Sequence, residues 1–154
     1  MEKTNVMRLL DVEGIPYTPR AYDPEVTDGC TVADLVGQSR DQTFKTLVTR
    51  GASGTCYVFA IPVNAALELK KAAHAVGEKS VAMLPQRELL PLTGYVHGGC
   101  SPIGMKKPFQ TVFDEVATLF ETVCFSAGRR GFQVEADPIK IAGYIGATFA
   151  DVTQ

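Results

Sequence analysis

The sequence predicts a single α/β domain of the α+β type, spanning residues 1–154, with a mixed, mostly antiparallel and partly barrel-like sheet and helices packed on it. Three observations carry this. A chain of 154 residues fits one domain and can bury roughly 68–70% of the surface its unfolded form exposes. Helical and strand patterns alternate along it without repeats, linkers or low-complexity tracts. Several strand patterns are joined by hairpin-length turns, which suits antiparallel pairing rather than a doubly wound parallel sheet.

Residues 4–13 read as a helix capped by Thr4 and ended by Gly14, with Val6, Leu9 and Leu10 at helical spacing. Ile15 to Tyr22 reads as a strand that Pro16 and Pro19 push to a sheet edge. Thr31 with Asp34 resembles a capping box, opening a short helix that stops at Gly37. Lys45 to Arg50 and the apolar run Cys56 to Val63 read as a hairpin around the turn 51–54. Asn64 is then placed to cap a helix with Ala66, Leu69, Ala73 and Val76 on one face, closed by Gly77. Val81 to Leu84 is a short strand, and Pro85 to Leu90 a helical turn. Thr93 to Pro108, rich in glycine, is loop. Gln110 to Asp114, Glu121 to Ser126 and Phe132 to Glu135 read as strands, the last two joined by a Gly-Arg-Arg-Gly turn. Asp137 and Pro138 start a terminal helix reaching about Tyr144.

Composition narrows the function. Apolar residues make up 45% and charged residues 21% of the chain, as in ordinary globular proteins. The start carries no basic region followed by an apolar one, and no apolar run approaches the roughly 20 residues of a membrane span. The expectation is a cytoplasmic protein without a membrane partner. Cys30, Cys56, Cys100 and Cys124 are widely spaced, with no C-x-x-C pair, so free thiols are expected and no metal or cofactor. A net charge of −2, from 15 basic and 17 acidic residues, is not the footprint of a protein that wraps a long nucleic acid. It allows contact with a short single-stranded end through a few cations.

Three segments could hold chemistry. The loop from Gly94 to Lys107 contains Gly98, Gly99, Ser101, Pro102 and Gly104, where bare backbone N–H groups could meet a carbonyl oxygen as it gains negative charge. It fits neither a phosphate loop nor a dinucleotide fingerprint, and composition alone reads it equally well as a surface connection. Lys45 opens an apolar strand; it is either an ordinary edge charge or a cation carried into a pocket, where low dielectric strengthens its pull on an ester carbonyl. The turn Ser126-Ala127-Gly128-Arg129-Arg130-Gly131 could present a hydroxyl and N–H groups, or be only a hairpin turn. His97 and Cys100, three apart, also raise Cys–His nucleophilic catalysis.

These segments resemble, in order and over nearly the whole chain, the YbaK family of aminoacyl-tRNA deacylases, related to the editing domain of bacterial prolyl-tRNA synthetases. The segments that carry the likeness are Ile15-Pro16-Tyr17 to Tyr22-Asp23-Pro24, Asp41 to Leu47 around Lys45, Leu67 to Ala73, Thr93-Gly94-Tyr95 with Gly98 to Gly104, and Ser126 to Gly131. The resemblance implies the YbaK and prolyl-tRNA-synthetase-associated fold. It implies ester cleavage that releases an amino acid, cysteine above all, from the acceptor end of mischarged tRNA(Pro) or tRNA(Cys), with prolyl-tRNA synthetase as a candidate partner. It makes Lys45 catalytic and assigns Tyr22, Thr46, Gly98, Gly99, Ser101, Pro102, Gly104, Ser126 and Gly128 to substrate binding. Gln133 stands where cysteine-specific members carry an aspartate, which leaves alanine or another small residue open as the amino acid removed. A non-catalytic tRNA-binding or synthetase-binding module and a Cys100-dependent thiol enzyme are the competing classes.

Overall fold

A computed structural model describes residues 2–154. Two sheets form its frame. In the first, β1 (Tyr17–Ala21), β7 (Phe132–Ala136) and β6 (Val123–Ser126) pair antiparallel in the order β1-β7-β6. The second has the order β4-β2-β3-β5-β8, from β2 (Phe44–Gly51), β3 (Cys56–Pro62), β4 (Val81–Met83), β5 (Gln110–Asp114) and β8 (Thr148–Ala150). There β2 pairs antiparallel with β3 and β4, while β3–β5 and β5–β8 run parallel. A single parallel bridge, Thr43↔Cys124, ties the two sheets. The one sheet expected from sequence is therefore two, still mixed and mostly antiparallel.

The helices form where capping chemistry and apolar spacing agree. In α1 (Asn5–Glu13) the Thr4 hydroxyl accepts the Met7 N–H and Gly14 ends the helix in the left-handed region. Helix α5 (Pro138–Ile145) takes Asp137 as its cap and Pro138 in its first turn. Two starts differ from the sequence expectation. Helix α2 (Gly29–Val36) begins earlier, because the Asp28 carboxylate accepts both the N–H and the hydroxyl of Thr31, so Thr31 lies inside the helix. Helix α3 (Leu69–Val76) begins later, capped by Glu68; the Asn64 side chain instead donates to Asp41 at 2.9 Å. Helix α4 (Leu89–Thr93) precedes the glycine-rich loop.

The main core lies between the two sheets and under α1 and α5, where Met7, Leu10, Phe44, Phe113, Phe125, Val134 and Ile141 are buried together. A second cluster, with Phe59, Ile61, Ala72 and Val112, fills the space under α3. All seven residues of β3 are buried, which fixes it as the central strand on which β2 and Lys45 are positioned. No helix of the described residues is long and apolar enough to cross a membrane.

Candidate active site

Strand β2 is covered along one edge by β3 throughout, but along the other edge β4 reaches only Thr49 to Gly51. The stretch before β4 begins, Phe44 to Leu47, lines a cavity of about 370 Å³. The N-terminal part of α2 (Asp28, Gly29, Val32) forms one wall, and β7, through Gln133, forms another. His97, Gly98, Cys100 and Ser126 from the two glycine-bearing loops close the rest. The volume suits a small ligand group of a few tens of atoms.

The two loops are locked to each other by close packing. A Cβ on Gly99 would lie 3.1 Å from the Arg130 nitrogen and 3.3 Å from the Arg129 Cα. The Arg130 side chain donates to the His97 carbonyl at 2.8 Å. Tyr95 is wedged between the loops: its hydroxyl donates to the Ile103 carbonyl. Gly128 sits at φ 93°, where a Cβ would lie 3.0 Å from the Tyr95 ring and 3.1 Å from the Val6 side chain. Such a φ with such a contact demands glycine.

Of the residues singled out from sequence, Tyr22, Lys45, Thr46, Gly98 and Ser126 line the cavity. Gly99, Ser101, Pro102, Gly104 and Gly128 lie outside that lining. Ser101 is fully buried, its hydroxyl oxygen accepting the Ile103 N–H at 3.3 Å. Pro102 and Gly104 border a separate depression with Lys107, Phe109 and Tyr144. The cavity also gathers residues the sequence reading did not assign to binding: Asp28, Val32, Leu47, Val63, Leu89 and Cys100. Asp28 was hidden because nothing in its local sequence says that its helix start faces Lys45.

Lys45 is half-buried and, among the described residues, makes no ion pair or side-chain hydrogen bond. Two buried acceptors without partners share its cavity, the Thr46 hydroxyl oxygen and the Gln133 carbonyl oxygen. Buried polar atoms are nearly always satisfied, so a cation with two orphaned oxygens marks a place kept for a polar ligand. The Thr31 hydroxyl and N–H, with smaller contributions from Arg40 and Lys45, hold the exposed Asp28 carboxyl below its ordinary range. Burial lifts the Tyr22 phenol and pushes the Cys100 thiol up to about 12. Cys100 is therefore a neutral thiol at physiological pH, lacking the thiolate that nucleophilic attack needs.

A hydrogen-bonded hub fixes the start of β2. Glu135 on β7 takes two bonds from Arg20, at 2.5 and 3.1 Å, and one from the Thr122 hydroxyl at 2.5 Å. Arg20 also reaches the Val36 carbonyl at the end of α2. Gln42, just ahead of β2, donates to the Thr122 carbonyl at 2.7 Å. One carboxylate thus holds the wall of the cavity and the approach to Lys45.

The sequence profile described as aminoacyl-tRNA editing domain matches residues 23–141, which take in Lys45, both loops and Gln133. The chain belongs to the aminoacyl-tRNA editing domain family. EbsC of Enterococcus faecalis, assigned as a Cys-tRNA(Pro)/Cys-tRNA(Cys) deacylase, is 41% identical over 99% of this chain and 94% of its own length. Two solved structures share the fold of this editing domain. A hypothetical protein, APE2540, aligns with a TM-score of 0.90 at 24% identity, over 98% of this chain and all of its own. A protein assigned as a trans-editing enzyme for prolyl-tRNA synthetase aligns at 0.85 and 24%, over 100% and 99%. The editing domain thus has the YbaK-type architecture, and the cavity at the open edge of β2 is the place in it where an unpaired cation meets unsatisfied acceptors.

Proposed function

We propose that this editing domain, as one unit over 1–154, deacylates mischarged tRNA in trans, removing cysteine first of all from tRNA(Pro) and also from tRNA(Cys). The observation that carries the reading is the unpaired Lys45 in a small cavity with two orphaned acceptors. The 41% identity to a chain assigned that activity supports the choice of substrate. An aminoacyl ester is already activated, so placement and charge do more than a strong enzyme nucleophile would. Lys45 draws the ester into the cavity and stabilises charge on its carbonyl oxygen. Tyr22, Gly98 and Ser126 bound the space around it.

With cysteine as the amino acid, its own thiol can do the cleavage. The substrate sulfur attacks the ester carbonyl carbon, a C–S bond forms, and the C–O bond to the ribose breaks. The thiol proton ends on the departing ribose oxygen. The resulting thiolactone is then hydrolysed by water. A nearby cation lowers the roughly 8.5 pKa of a free thiol, and in this reading Lys45 supplies it. Gln133 offers a neutral acceptor to the amino acid where an aspartate would bring charge. The near-neutral chain, at −2, has no excess of cations with which to grip tRNA, which suits help from prolyl-tRNA synthetase as a partner.

The test is a deacylation panel of cysteinyl-, alanyl- and seryl-tRNA. Faster release of cysteine than of serine, its oxygen isostere, is expected. Equal rates on the two would contradict thiol assistance, and fastest release of alanine would move the substrate to a small apolar residue.

A further inference from the structure

The main chain of β2 supplies a second recognition element beside the lysine. In the β2–β3 ladder the hydrogen-bonded positions of the first strand are the odd-numbered ones. The Val63 N–H donates to the Thr43 carbonyl at 2.8 Å and the Gly51 N–H to the Thr55 carbonyl at 2.8 Å. Between these ends the register advances residue for residue through Lys45↔Ile61 and Leu47↔Phe59. Alternation in an antiparallel pair then turns the N–H and C=O of Phe44, Thr46, Val48 and Arg50 to the opposite edge. The Leu84 N–H, which donates to the Val48 carbonyl at 3.0 Å, shows that this is so. On that edge β4 pairs from Thr49 onward, and the pairing with β6 is the single Thr43↔Cys124 bridge. Thr46 lies between these two pairings and belongs to neither. This stretch lines the cavity, and the orphaned Thr46 and Gln133 oxygens lie beside it.

An N–H and C=O of one residue, turned to an edge between two pairings, match an α-amino acid in extended form, because an antiparallel hydrogen-bonded pair exchanges two bonds between two residues. We infer that the aminoacyl group of the substrate docks as a one-residue strand on Thr46. Its α-ammonium donates to the Thr46 carbonyl, and its ester carbonyl accepts the Thr46 N–H. The occupant is the amino-acid unit, since an edge of one residue between two covered stretches has no length for a peptide. The clamp reads what all α-amino acids share, so choice among them falls to the side-chain surroundings, Gln133 included. It also fixes the ester carbonyl against the strand that carries Lys45. This rests on the deacylase reading above.

The experiment changes one atom on each side. Thr46 is replaced by its α-hydroxy acid analogue, which exchanges the N–H for an ester oxygen and leaves the side chain in place, with folding checked by thermal unfolding. In parallel the wild-type protein is given cysteinyl- and 3-mercaptopropionyl-tRNA, and alanyl- and propionyl-tRNA, pairs that differ only in the α-amino group. Loss of a single donor to a developing oxyanion lowers kcat by about 100-fold or more, and that loss is expected of the variant. At least about a tenfold loss in kcat/KM is expected for each deamino substrate. If the variant fails to fold, the wild-type comparison decides alone. Equal turnover of the amino and deamino substrates would overturn the clamp. Wild-type inactivity on every aminoacyl-tRNA would overturn the deacylase reading, and the clamp with it.

Discussion

Lys45, Gln133 and Cys100 illustrate how differently side chains in one cavity can behave. Gln133 is only 6% exposed, yet its carbonyl oxygen has no partner. Such an atom costs about 1–3 kcal/mol of desolvation that no protein contact repays. Gln133→Met, close in volume and apolar, is therefore expected to hold or raise stability in urea denaturation while raising KM for the aminoacyl-tRNA. A clear loss of stability would show that the oxygen is satisfied in the folded protein. Cys100 is the opposite case. It lines the cavity, but burial holds its thiol neutral up to a pKa of about 12. Iodoacetamide at pH 7.5 is expected to label it slowly, and Cys100→Ala to lower the deacylation rate by less than about tenfold. Rapid labelling with loss of activity would restore a thiol-enzyme reading. The sequence could name Lys45 only through an ordered resemblance, because one lysine at a strand start is ordinary. It could not show the orphaned oxygens, since satisfaction of a polar atom depends on what folds against it.

At the scale of elements, the Glu135 hub carries a prediction about acid. Its carboxylate is held below the ordinary range, by the Thr122 hydroxyl first and Arg20 after it, against the opposing effect of burial. A carboxylate depressed in the folded state stabilises that state above its unfolded pKa, near 4.3. The contribution is lost as pH falls through the lower folded value. Wild type should therefore lose stability from about pH 5 downward, and Glu135→Gln should flatten that part of the curve. Chemical denaturation between pH 3 and 7 measures it, and parallel curves for the two proteins would refute the assignment. Elements with strong local signals were legible from sequence: Thr4 and Gly14 bound α1, and the β2–β3 hairpin turns where the glycines place it. Starts set by competition between adjacent caps were not. Asp28 outbids Thr31 because both the N–H and the hydroxyl of Thr31 turn to it, and Asn64 is drawn away by Asp41. Strand β8 spans only three residues and exists because β5 offers it a parallel edge.

For the molecule as a whole, the α+β class was readable because hairpin turns and short amphipathic helices are local features. The split into two sheets was not, because it depends on which strands stop short of each other. That split makes the site. Had β4 or β6 gone on pairing with β2, the edge at Thr46 would be covered and the cavity closed on that side. The residues identified from sequence at Gly99, Gly104 and Gly128 serve this same arrangement, packing the two loops around Tyr95 and the Arg129–Arg130 backbone, with Gly98 and Ser126 at the cavity itself. The most direct measurement is single-turnover deacylation of cysteinyl-tRNA(Pro) by wild type and by Lys45→Ala, with folding of both confirmed. Wild type is expected to release cysteine well above the rate of spontaneous hydrolysis, and the variant to be slower by about 100-fold or more. A folded Lys45→Ala protein as fast as wild type would contradict the account.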